Sequence, residues 1–93
     1  SPIIGDLVKL GTNSADIFRT AVTAFINNDV NNAMEVLDRR SAMRSMSIGV
    51  IRSIYNSGLH VDAGGRLMMI VESIRRISEY SYDIAEITLD TYG

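Results

Sequence analysis

The chain has 93 residues, 46% hydrophobic and 22% charged, with a formal net charge of −2. That length fits one domain with its own core, and the composition excludes a disordered or low-complexity chain. With no cysteine, disulfides, thiolate zinc sites and a cysteine nucleophile are excluded, and the slight acidity supplies no basic face for nucleic acid or an anionic membrane.

No apolar run approaches the roughly eighteen residues of a membrane-spanning helix, and the opening SPIIGDL lacks the basic stretch of a signal peptide. The chain begins with Ser1 rather than Met, which is expected of a processed chain or of a domain cut from a longer protein. Residues 1–93 are read as a single domain.

In chain order, Ser1 and Pro2 fit a helix cap followed by proline in the first turn. Ile4, Leu7, Val8, Phe18, Ala21, Val22 and Phe25 then recur at helical spacing, so the first helix runs to about Ile26 and these residues are its predicted core face. Gly11 interrupts the pattern and predicts a kink or close packing within one continuous helix. Asn27 and Asn28 form a turn and Asp29 caps the second helix, which carries Val30, Ala33, Met34, Leu37, Met43, Met46, Val50, Ile51 and Ile54 on its apolar side. Asn56, Ser57 and Gly58 stop it, with Gly58 in the left-handed conformation. Asp62 is placed as the cap of the last helix, with Gly64 and Gly65 in a weak first turn or delaying its start to about Arg66.

The last helix has the most regular pattern. Leu67, Ile70, Ile74, Ile77, Ser81, Ile84 and Thr88 fall alternately three and four residues apart, a single stripe at the helical period, and are assigned to the core. A second row of Val71, Ser78 and Ala85 is small enough to let a neighbouring helix come close. Three long helices and no sustained two-residue alternation predict an all-α fold, an antiparallel three-helix bundle. The methionines of the second and last helices, at helical spacing, are read mainly as core; Met34, Met46, Met68 and Met69 are the alternative as a dimer surface.

Two charged groups are candidate sites. Glu79, Asp83, Glu86 and Asp90 recur at steps of four, three and four, a row of carboxylates that repels itself on a solvated face or gathers a cation. On the second helix Arg40 and Arg44 share a face and suit a phosphate or a partner's carboxylate, with pairing to acids of a neighbouring helix as the simpler reading. His60 is an exposed loop residue, and no second histidine or cysteine exists to complete a nitrogen-rich metal site. Without a glycine-rich phosphate loop or a serine beside a credible base, the pattern does not point to an enzyme.

The segment IRRISEYSYDIAE, Ile74 to Glu86, resembles the C-terminal helix of a PhoU repeat, whose pattern is approximately L-E-R-I-G-D-x-x-x-N-I-A-E. Arg76, Ile77, Ile84, Ala85 and Glu86 match it; Ser78 stands for the glycine, Glu79 for the aspartate and Asp83 for the asparagine. The upstream order of helix, Asp29 turn, Ala33-Met34-Glu35-Val36 and Asp38 extends the resemblance over nearly the whole chain.

The resemblance implies a PhoU-like bundle, a non-enzymatic cytoplasmic regulator of phosphate uptake and signalling. It implies protein partners among transporter or signalling components, homo-oligomerisation, no direct nucleic-acid contact and no membrane insertion. The alternative it leaves is a helical dimerisation module of an ion-transport or DNA-binding regulator. It also implies a cation motif of paired acids, whose first acid falls here on Arg75. A register one turn later, Glu79, Asp83 and Glu86, offers oxygen ligands suited to a divalent or ferric ion.

Overall fold

The computed structural model describes residues 2–93, so the expected Ser1 cap lies outside it. Helix α1 spans Pro2–Ile26 without a break. Gly11 sits where a Cβ would lie 3.6 Å from Ile74 Cδ1, so it marks close packing, not a kink. The chain turns through Asn28, which takes a left-handed φ of +54° that asparagine tolerates better than most residues. Asp29 then caps as expected, its carboxylate accepting the Asn32 N–H at 3.0 Å.

The predicted second helix is bent. Helix α2, Val30–Asp38, and helix α3, Arg40–Tyr55, meet at Arg39, which has a ψ of −7° and whose N–H is shared between the Glu35 and Val36 carbonyls. The bend coincides with two arginines reaching in opposite directions, Arg39 to Asp16 of α1 and Arg40 to Glu79 on the last helix. Gly58 ends this arm with the expected positive φ of +71°.

Helix α4, Val61–Tyr92, starts earlier than expected, and its cap is His60 instead of Asp62: His60 Nδ1 accepts the Asp62 N–H at 3.2 Å. Gly64 and Gly65 are therefore inside the helix. Contacts fix the directions of the arms. Gly11 lies against Ile74, Ser14 against Ser78 and Phe25 against Tyr92, so α1 and α4 run parallel. Asn13 meets Met46 while Asp16 meets Arg39, so the bent α2–α3 arm runs against them. The result is the all-α, antiparallel three-helix bundle expected, a rod of about 48 × 18 × 16 Å.

The core differs from the expected one in which faces are buried. On α1 it is Ile3, Leu7, Leu10, Ser14, Ile17, Ala21 and Ala24 that are buried, while Ile4, Val8, Phe18 and Phe25 stay exposed. On α4 the buried residues are Val71, Ser78, Ser81, Tyr82, Ala85 and Thr88; Ile70 and Ile77, assigned to the core by periodicity, are 47% and 41% exposed. The physical reason is close approach. A helix pair packs nearest where side chains are small, so the Ser78, Ser81 and Ala85 side of α4 turns inward and the larger isoleucines are carried to its flank.

Burying hydroxyls requires partners, and these have them. Ser14 Oγ lies 2.9 Å from Ser78 Oγ and donates to the Ile74 carbonyl, while Ser81 and Thr88 donate to carbonyls one turn back on their own helix. Of the methionines, Met43 is in the core, Met46 and Met68 pack against it, and Met34 and Met69 are exposed.

Candidate functional site

Two features stand out on this frame: a charged cluster between α3 and α4, and an apolar surface along α1 and α4. The cluster centres on Arg40, in the first turn of α3. Its guanidinium donates to Glu79 at 3.1 Å, lies 3.8 Å from Glu86, and rests 4.8 Å over the ring of the buried Tyr82. Glu79, Tyr82 and Glu86 are spaced three, four and seven residues apart, which puts all three on one side of α4. Arg40 Nε is sealed from solvent with no acceptor, so the head is held by its other donors and by the ring beneath it.

Two of the four acids of the carboxylate row, Glu79 and Glu86, face Arg40. Glu79 and Glu86 are bridged by a cation already in the chain, so the repulsion expected between neighbouring acids is largely offset. Asp83 is exposed and makes no ion pair among the described residues. Nor do the described residues gather three or more histidine or acidic side chains in a geometry able to hold a metal ion. A cation taken up by Glu79, Asp83 and Glu86 would compete with Arg40 for the same oxygens. Arg40→Ala should therefore bind calcium or manganese more tightly than the parent chain in a calorimetric titration. It should also lower Tm by about 5–10 °C, because a half-exposed ion pair, a cation–π contact and the packed stem together contribute about 1–2 kcal/mol.

The expected arginine pair is split. Arg40 is committed within the chain, whereas Arg44, one turn on and exposed, has no acidic partner among the described residues. Arg75, where the motif's first acid would fall, forms a two-pronged pair with Glu72 at 2.6 and 2.8 Å. Those hydrogen bonds hold the Glu72 carboxyl below its ordinary range and raise Arg75.

Tyr82 escaped the sequence reading, because nothing in the local pattern tells a ring under an arginine from any core aromatic. Burial foremost, and then the Glu79 charge, push its phenol above the ordinary value of 10.0. A folded-state value above the unfolded one means the native state holds the proton more tightly. That stability is fully present below about pH 10 and is lost as pH rises through the folded-state value. Tyr82→Phe should thus flatten the alkaline limb of a stability-versus-pH curve above pH 10.

The apolar surface is built from the flanks of the parallel pair. Val8 and Phe18 of α1 are 62% and 41% exposed, Ile4 and Phe25 are exposed on the same helix, and Ile70 and Ile77 of α4 are exposed on either side of Ile74, which touches Gly11 across the seam; Phe25 packs against Tyr92 at the far end of the pair. Scattered exposed hydrophobics are ordinary, whereas apolar side chains exposed along two neighbouring helices make this flank a candidate docking surface.

The fold is thus a helical bundle with apolar side chains exposed along α1 and α4 and an open groove between α3 and α4. The PhoU domain family model matches residues 7–88, and the chain belongs to that family. The family is one of regulatory, non-enzymatic proteins associated with phosphate uptake. Neither the curated proteins nor the solved structures yield a match to this chain. No helix among the described residues is long and apolar enough to cross a membrane.

Proposed function

We propose that the chain is a cytoplasmic regulatory domain in the control of phosphate uptake and signalling, acting by binding and not by catalysis. It works by laying its α1/α4 strip on the same strip of a second copy. The observation that carries this reading is the exposure of Ile70 and Ile77, two members of the most regular stripe in the sequence, on the surface of a bundle whose core forms without them.

The size of the strip supports it. From Ile4 to Phe25 α1 rises about 30 Å, a length along which two copies can pair. Transporter or signalling components are the proteins such a dimer would contact.

In cells of the source organism, an Ile77→Glu chain should alter phosphate uptake relative to the parent at equal protein level. Unchanged uptake would contradict the regulatory role.

A further inference from the structure

A groove of about 250 Å³ lies between α3 and α4, on a different side of the bundle from the α1/α4 strip. Its wall is apolar: buried Met43, half-buried Ile51, and Ile48, a large aliphatic side chain 48% exposed. Its rim is cationic, with Arg40 and Arg44 from α3 and Arg75 from α4 against a single acid, Glu79.

The charges do not all have equal standing. Glu79 and Glu86 answer Arg40, and Glu72 answers Arg75, which leaves Arg44 as the uncommitted charge of the groove. One turn from it, half-buried Ser47 lines the same space, and its hydroxyl has no protein partner among the described residues. A guanidinium beside a hydroxyl, facing an aliphatic wall, is the donor set for a carboxylate attached to something greasy.

We propose that this groove binds a small amphiphilic monoanion, a carboxylate on a short aliphatic body. Arg44 and Ser47 hold the carboxylate, and Met43, Ile48 and Ile51 hold the body. One free positive charge matches one negative charge. A dianion such as phosphate leaves a charge unmatched beside Glu79 and makes no use of the wall. The site is independent of self-association through α1 and α4.

The test is a titration of the 15N-labelled chain, following arginine Nε–H and backbone amide signals with hexanoate, acetate and inorganic phosphate as probes. Hexanoate should shift Arg44, Ser47 and Ile48 saturably and bind at least tenfold more tightly than acetate, the gain expected when about two of its four extra methylenes are buried. Arg44→Ala, an exposed change that leaves the helical circular dichroism intact, should weaken hexanoate at least tenfold, while Arg52→Ala, outside the groove, should not. Equal affinity for hexanoate and acetate, tighter binding of phosphate, shifts that are unsaturable or as large at Arg52, or hexanoate affinity unchanged in Arg44→Ala would each overturn the proposal.

Discussion

Replacing Ser78 by leucine should destabilise the domain by about 2–5 kcal/mol, enough to lower Tm by roughly 10–40 °C or to unfold it. Two costs add. The new side chain must fit where Ser78, 5% exposed, faces α1 at the closest part of the parallel pair, and overpacking of that kind costs about 1–3 kcal/mol. The buried Ser14 hydroxyl also loses its 2.9 Å partner, although it retains the Ile74 carbonyl as an acceptor. Denaturant melts of Ser78→Leu beside Ser78→Ala separate the terms, since alanine removes the hydrogen bond without adding bulk and should cost only about 1–2 kcal/mol.

One residue earlier, the opposite pattern is expected. Ile77→Glu places a charge on a side chain that is 41% exposed in the single chain, so the folded monomer should lose less than about 1 kcal/mol. Self-association, by contrast, should weaken roughly 30-fold to 1,000-fold, because a buried carboxylate at the centre of an apolar interface loses the contact and stays unpaired. Phe18→Glu across the seam should act alike. The contrast between Ile77 and Ser78 is the sharpest consequence of the orientation of α4, since a reading of α4 by periodicity alone assigns the larger cost to Ile77.

Periodicity made the helices legible but not their rotation. The all-α bundle, the Asp29 cap, the Gly58 stop and the unbroken first helix follow from local rules that depend on a few neighbouring residues. Which flank of a helix is buried depends on how closely its neighbour approaches, and that is set by small residues whose effect appears only between helices. Ile70 and Ile77 therefore read as core in one dimension and form a surface in three. The bend at Arg39 was hidden for a similar reason, as the DRR run of Asp38 to Arg40 is compatible with a straight helix and its two arginines are drawn to different partners. A histidine ring nitrogen caps a helix far less often than an aspartate carboxylate, so local rules point to Asp62 where the structure has His60.

The candidate sites were legible as residues and not as a constellation. Glu79 and Glu86 on one helix and Arg40 on another were each singled out, yet only the fold brings them together, with Tyr82 as their platform. Two of the three acids expected to gather a cation, Glu79 and Glu86, are thereby joined to an internal one, and Asp83 is not. Arg44, expected to act beside Arg40, stands alone in a groove that only the pairing of α3 with α4 creates.

The central claim is that the exposed α1/α4 strip exists to be covered by a second copy. Sedimentation equilibrium of the parent chain and of Ile77→Glu, with helical content matched by circular dichroism, tests it directly. A dimer at micromolar concentration that becomes a folded monomer in Ile77→Glu is the expected result. A parent chain that stays monomeric at high micromolar concentration, or an Ile77→Glu dimer as tight as the parent, would contradict it.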